Sequence, residues 1–132
     1  MQKNTVSHFE IYADDPDALA EFYTKMFDWK IVPVPGMDYR LVHSGDTDAQ
    51  GMLKQTGAIN GGIAKRPDGF VIHGSVNYTM VDSIEDSIER AKRLGAKLTK
   101  GKTAVTGMGW FAMFVDPQGN NFAVFKSDQA AK

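Results

Sequence analysis

Residues 5–31 read TVSHFEIYADDPDALAEFYTKMFDWKI, and the change of period inside this stretch decides the fold class. Thr5 to Tyr12 reads as a strand with Val6, Phe9 and Ile11 among its apolar residues. Period-two alternation puts Phe9 and Ile11 on one face and His8, Glu10 and Tyr12 on the other. Asp14-Asp15-Pro16 then marks a helix start, an acidic cap ahead of a proline whose missing N–H is harmless in the first turn. From Asp17 to Phe27 the apolar residues Leu19, Phe22, Tyr23, Met26 and Phe27 fall on one helical face. A strand with one apolar face followed by an amphipathic helix predicts a sheet packed against that helix, with the polar face of the strand turned away from it.

Working outward, the same order recurs. Trp29 to Val34 reads as a strand ended by Pro35-Gly36, and Tyr39 to His43 as another. Ser44 to Ala58 is polar, glycine-bearing and without period, which predicts a loop; with Met52, Leu53 and Ile59 it reads either as a lid over an apolar ligand or as plain surface. Asn60 to Lys65 reads as a short strand closed by the turn Arg66-Pro67-Asp68-Gly69, although Asn60-Gly61-Gly62 by itself has the composition of a turn. Gly74 to Val81 is a strand, Asp82-Ser83 caps a helix running to about Leu94, and Gly95 stops it. Lys97 to Thr99 reads as a strand, Lys102 to Met108 as a loop or ragged strand, and Trp110 to Val115 as a strand. The turn Asp116-Pro117-Gln118-Gly119 leads into a last strand, Asn121 to Phe125. The polar tail Ser127 to Lys132 is expected to fray. Phe27-Asp28-Trp29-Lys30-Ile31 corresponds to Leu94-Gly95-Ala96-Lys97-Leu98, a repeat after roughly 67 residues.

The prediction is therefore an α+β protein of one domain, residues 1–132. It consists of two tandem βαβββ modules, about 5–66 and about 73–126, forming a curved mixed sheet whose concave side is a cup, with the helices on the outer face. At 132 residues the chain is long enough to bury a core. A hydrophobic fraction of 42% with 23% charged residues excludes a disordered chain. A net charge of −1 provides no basic field for nucleic acid or an anionic membrane. The absence of cysteine excludes a disulfide scaffold, a zinc-thiolate site and a cysteine nucleophile. No apolar run approaches a signal or a membrane span, so the chain reads as cytoplasmic. No dinucleotide, P-loop, serine-hydrolase or zincin motif is present.

Several of these segments together resemble the vicinal-oxygen-chelate superfamily, which includes glyoxalase, bleomycin-resistance and dioxygenase-like proteins. His8-Phe9-Glu10-Ile11, Asp14-Asp15-Pro16, Phe22-Tyr23 and Phe27-Asp28-Trp29 look like the family's opening pattern. Asp116-Pro117-Gln118-Gly119-Asn120 resembles its turn before the last strand, and Gly107-Met108-Gly109-Trp110-Phe111 stands just ahead of it. The resemblance covers roughly residues 5–126 and is nearest to the lactoylglutathione-lyase-related branch. It implies a small organic ligand in the cup, a homodimer, and in many members a divalent metal on strand histidines and glutamates. His8 matches the family's first ligand position. The position in the second half falls at Val76 or, one residue off, Ser75. The glutamate of the last strand falls at Ala123, and the first-half partner falls within Gly61 to Ala64. One of the four expected ligands is therefore present, so the chain is expected to need no cofactor, with a divalent metal at His8 as the alternative.

The candidate catalytic pair is His8 and Glu10, neighbours on one strand face. They read either as a general acid/base or ligand-anchoring pair, or as an imidazole and carboxylate that satisfy each other. His8 alternatively ligates a metal with Glu10 or His73, the latter lying about three residues early on the fifth strand. Candidate ligand-binding residues are Tyr12, Asn77, Tyr78, Trp110 and Phe125. The fifth strand presents Val76, Tyr78 and Met80, or in the other register Ser75, Asn77 and Thr79. Trp110 reads as a pocket wall or as core. Three functions follow: a small-molecule-binding protein or metal-independent enzyme, a metal-dependent lyase, isomerase or dioxygenase, and an antibiotic-sequestering resistance protein.

Overall fold

The computed structural model of the chain describes residues 4–50, 52, 54 and 56–132. The chain is an α+β protein with mixed sheets, and eight strands and two helices are present among the described residues. They form two compact units, one of His8–Ser75 and the other of residues 4–7 with Val76–Lys132.

The first unit holds β1 (Val6–Ala13), α1 (Pro16–Phe27), β2 (Lys30–Pro33), β3 (Tyr39–His43) and β4 (Asn60–Lys65). Its strands lie in the order β2-β3-β4-β1. β1 is parallel to β4, and the other two pairings are antiparallel. Phe9, Ile11 and Ala13 of β1 pack with Val42 and Ile63 against Leu19, Ala20 and Tyr23 of α1. Val42 and Ile63 are fully enclosed. Burying each such side chain stabilises the unit by about 1.5–3 kcal/mol. α1 starts as the sequence predicts. Asp15 Oδ1 accepts from Ala18 N at 3.1 Å, and Pro16 occupies the first turn. The helix stops at Asp28, a left-handed residue with φ 56° whose N–H donates to Thr24 O. The turn after β4 is tethered by Arg66, whose guanidinium donates to Asp14, to Tyr12 O (3.2 Å) and to Ile72 O (3.3 Å).

The second unit repeats this order with β5 (Ser75–Met80), α2 (Ile84–Arg93), β6 (Lys97–Val105), β7 (Gly109–Val115) and β8 (Asn121–Ser127). The strand order is β5-β8-β7-β6, with β5 parallel to β8 and the remaining pairs antiparallel. Ile84, Ala112, Phe114 and Val124 form the core under α2, joined by Ile88, Ala91, Leu98, Trp110 and Phe122. Phe114 stacks on Phe122 with ring centroids 5.0 Å apart. Ser83 Oγ caps α2 by accepting from Asp86 N (3.1 Å), and Gly95 (φ 96°) takes the left-handed position after Leu94.

Three expectations need correction. Lys97–Val105 is one continuous strand, so of the loop or ragged strand expected from Lys102 it is the ragged strand that forms, joined to Lys97–Thr99; two register shifts against β7, around Lys100, break its alternation. Asn60-Gly61-Gly62 is the start of β4, not a turn, because flanking side chains occupy the space above both glycines. The tail does not fray: Asp128 N donates to Met108 O, Gly107 N donates to Ala131 O, and Ala131 is 1% exposed. In the loop before β4, Asp48 N donates to Met52 O and Lys54 N to Asp46 O, and the Met52 side chain is exposed. Leu53, assigned to a ligand lid, lies outside the described residues.

Candidate functional site

Because Phe9 and Ile11 face α1, the alternation of β1 turns His8, Glu10 and Tyr12 to the opposite side of the first unit's sheet. There they form a cluster with Tyr39 of β3. Tyr12 Oη donates to Glu10 Oε1 at 3.0 Å, and Tyr39 Oη donates to Glu10 Oε2 at 3.0 Å. His8 Nε2 lies 2.9 Å from Tyr39 Oη and 3.8 Å from Glu10 Oε2. The Glu10 side chain is 15% exposed and that of His8 30%, so the carboxylate is set back and the imidazole lies nearer the surface.

Tyr39 is not on a strand next to β1. β4 lies between them, and Glu10 and Leu41 both register with Gly62. The tyrosine side chain crosses β4 over that glycine, and a Cβ at position 62 would fall inside the Tyr39 hydroxyl. Gly61, pointing to the other side, is covered by the Phe9 ring and the Phe9 carbonyl. A pair of bare glycines in a strand is the signal that another group approaches closely, and it was the one available pointer to Tyr39. Sequence distance hides the rest, since His8 and Tyr39 are 31 residues apart.

The cluster has a definite charge state. Burial raises the Glu10 pKa, but interaction with His8 and the hydroxyls of Tyr12 and Tyr39 outweigh it, so the carboxyl titrates below its ordinary 4.5. Burial, then the charge and hydrogen bond of Glu10, push the Tyr39 hydroxyl far above its ordinary range. Near neutral pH, Glu10 is therefore an anion and Tyr39 keeps its proton. A half-buried carboxylate with two hydroxyl donors satisfies the rule that desolvated charge must be paired.

The other candidates are distributed differently. In β5, Val76, Tyr78 and Met80 lie on the side away from α2, in line with Ala123 and Phe125 of β8, which settles the register of that strand. Tyr78 is buried and meets the Phe111 ring edge-on, with centroids 6.3 Å apart. Phe125 pairs with Phe111 on that same side. Asn77 is exposed on the opposite side of β5. Trp110 belongs with the α2 core and not with Phe125: alternation along β7 puts it beside Ala112 and Phe114, its Nε1–H donates to Asp128 Oδ2 (3.0 Å), and Lys102 Nζ stands 4.5 Å from its ring centre. Of the two neighbours Trp110 and Phe111, it is Phe111 that lies on the helix-free face. His73 precedes β5 and lines an open groove of about 500 Å³ with Tyr12, Asp14, Leu19, Phe22 and Arg66.

The donor set does not fit a chelated divalent metal. Among the described residues no three His, Cys, Asp or Glu side chains stand where they could hold one ion. Both oxygens of Glu10 already accept from tyrosines, and neither Gly61 to Ala64 of β4 nor Ala123 of β8, where the resemblance assigns ligands, carries a donor side chain. Sites of that kind need three or more fixed protein ligands.

The fold is shared with solved structures at low sequence identity. Methylmalonyl-CoA epimerase from Mycobacterium tuberculosis superposes with a TM-score of 0.65 at 13% identity, over 96% of this chain and 89% of that one. A glyoxalase/bleomycin resistance protein/dioxygenase superfamily member from Vibrio splendidus 12B01 gives 0.62 at 12%, over 93% and 100%. The Mn(II)-bound glyoxalase from Novosphingobium aromaticivorans gives 0.62 at 17%, over 98% of this chain and 40% of that longer one. No curated protein sequence matches the chain. The model of the glyoxalase-like domain matches residues 8–125, from the histidine of the cluster to the middle of β8, and the chain belongs to that family.

Proposed function

We propose that the chain binds a small organic molecule against the His8, Glu10, Tyr12 and Tyr39 face of its first unit, and that His8 exchanges a proton with it without a metal. The observation that carries this reading is the half-buried Glu10 carboxylate, held by two tyrosine hydroxyls 3.8 Å from the more exposed imidazole of His8. A partly desolvated charge is costly unless it is paired, and this one is paired to groups around a histidine that can transfer a proton. When His8 accepts a proton, the imidazolium gains the field of Glu10, while Tyr39 and Tyr12 keep the carboxylate from rotating. A positioned acid/base of this kind accelerates proton transfer by about 10²–10⁴-fold.

The test is binding and exchange. Methylmalonyl-CoA, the substrate class named by one structural neighbour, and a panel of small aldehydes and carboxylic acids are titrated in D₂O and followed by NMR. The expected result is a ligand whose binding shifts the signals of His8, Tyr12 and Tyr39, with deuterium entering the ligand in the wild type and not in His8→Ala. A ligand that binds with equal affinity to His8→Ala and Glu10→Gln sinks the reading. A ligand that requires these residues but takes up no deuterium favours sequestration over catalysis.

A further inference from the structure

We infer that the helix-free face of the first unit holds a subsite for the carboxylate of a small organic acid, formed by Asn60 and His43 with Lys30 beyond them. The inference deepens the proposed function by naming the class of molecule bound, and rests on that reading for what happens at His8.

Strand register places these side chains in one row. Ile31, Val42 and Ile63 pack on the α1 side, so alternation turns Lys30 of β2, His43 of β3 and Asn60 of β4 to the side that carries His8. His8 pairs with Asn60, and Lys30 pairs with His43. Val42 pairs with Gly61, which sets His43 opposite Asn60. The row across the sheet is therefore His8, Asn60, His43, Lys30, with neighbouring strands about 5 Å apart. The next row on this face runs Glu10, Gly62, Leu41, Val32. Leu41 and Val32 give the polar row an apolar bed alongside it.

Beyond His8, every member of the row is a donor. Asn60 Oδ1 accepts from Ser44 N at 3.2 Å, which assigns the amide and leaves its Nδ2 hydrogens without an acceptor among the described residues. His43 Nδ1 is enclosed and has no partner among the described residues. A hydrogen there would be an orphaned donor, rarer in folded proteins than an orphaned acceptor, so the neutral ring carries its hydrogen on Nε2, which is not closed off. Lys30 is exposed and makes no ion pair among the described residues, whereas Arg40, Arg66 and Lys102 face Asp17, Asp14 and Glu85. Lys30 and His43 line a pocket of about 390 Å³, which Asp28, Ser44, Asp46 and Lys54 also border. That volume suits a small organic ligand. The two lysines are balanced there by the two aspartates, which disfavours a doubly charged phosphate. A single carboxylate can take the Asn60 and His43 donors with Lys30 as counter-charge. It then lies about 5–10 Å from His8, which leaves the carbon skeleton of the acid between the subsite and the imidazole.

The experiment is an NMR titration of ¹⁵N-labelled protein at about pH 7.5, where carboxyl groups are ionised. The probes are pentanoate, its neutral counterpart pentanamide, and inorganic phosphate. Pentanoate is expected to move the His43 ring and Asn60 side-chain amide signals, and pentanamide to bind about tenfold more weakly. Lys30→Gln, an exposed change, is expected to weaken pentanoate about two- to fivefold and leave pentanamide unaltered. Asp46→Asn removes a like charge from the pocket and is expected to strengthen pentanoate. Equal affinity for pentanoate and pentanamide overturns the inference, as does an affinity for pentanoate that Lys30→Gln leaves unchanged. Phosphate bound more tightly than pentanoate at the same residues overturns the assignment to a carboxylate. His8→Ala separates this subsite from the proposed function. Pentanoate that still moves His43 and Asn60 with unaltered affinity in that variant upholds the subsite and removes the role proposed for His8. Pentanoate that moves His8 in the wild type but neither His43 nor Asn60 removes the subsite and leaves that role standing.

Discussion

The two units use one strand order and one helix placement, yet the sheet faces turned away from their helices differ in chemistry. In the first unit that face carries His8, Glu10, Tyr12 and Tyr39 joined by hydrogen bonds. In the second it carries Val76, Tyr78, Met80, Phe111, Met113, Ala123 and Phe125. The helix-side cores are alike, with Val42 and Ile63 in one and Ile84, Ala112 and Phe114 in the other, all nearly or wholly enclosed. The scaffold is thus specified by the helix side of each sheet. The other side is left open to specialise, because its residues alternate with the core and need not satisfy it.

The comparison breaks first if the cores are not equivalent. Phe114→Ala is expected to lower stability by about 3–5 kcal/mol and Ile63→Ala by about 2–5 kcal/mol, read by chemical denaturation. A cost below about 1 kcal/mol for either would mean that its unit is not held by its helix-side core.

The next effect sharpens the difference between the open faces. Glu10→Ala leaves two tyrosine hydroxyls without their acceptor and is expected to cost about 1–3 kcal/mol. Met113→Leu, a volume-conserving change on the apolar face, is expected to cost less than about 1.5 kcal/mol. Equal losses would show that the hydrogen-bonded cluster has no special weight.

The pH dependence isolates the charge of that cluster. The Glu10 pKa is lowered in the folded protein, so its contribution is fully present above the ordinary 4.5 and is lost as pH falls through the lowered value. Wild-type stability is expected to converge on that of Glu10→Gln as pH drops from about 6 towards 3, measured by urea unfolding. A constant difference across that range would show that the carboxylate is not stabilised by its neighbours. The smallest effect serves as a control outside both faces: Ser83→Ala removes the α2 cap and should cost about 1 kcal/mol without disturbing the His8 signals.

Much of this was legible from sequence because the decisive signals are local. The alternation of β1 separates Phe9 and Ile11 from His8, Glu10 and Tyr12, and the caps Asp15 and Ser83 and the stop at Gly95 mark helix ends within a few residues. The site was half legible. His8, Glu10 and Tyr12 share a strand, whereas Tyr39 reaches them across an intervening strand, which no periodicity encodes. Trp110 was ambiguous because its neighbour Phe111 is equally aromatic, and only pairing with β8 tells which of them faces α2. β6 was read in two pieces, a strand Lys97 to Thr99 and a loop or ragged strand from Lys102, because a strand whose register shifts loses the regular alternation by which strands are recognised.

Gly62 also constrains how this chain can change over generations. While Tyr39 lies over it, a side chain at 62 clashes with the tyrosine; once Tyr39 is lost, position 62 can accept the β-branched residues that strands favour. Substitutions at the two positions therefore have an order, position 39 before position 62, and the reverse order passes through a disrupted intermediate. Reversion is constrained in the same way, since a tyrosine restored at 39 cannot lie across position 62 until the glycine has returned. Among descendants of this sequence, a bulky residue at 62 should coincide with the loss of tyrosine at 39, a covariation that a single strand-pairing contact would not produce.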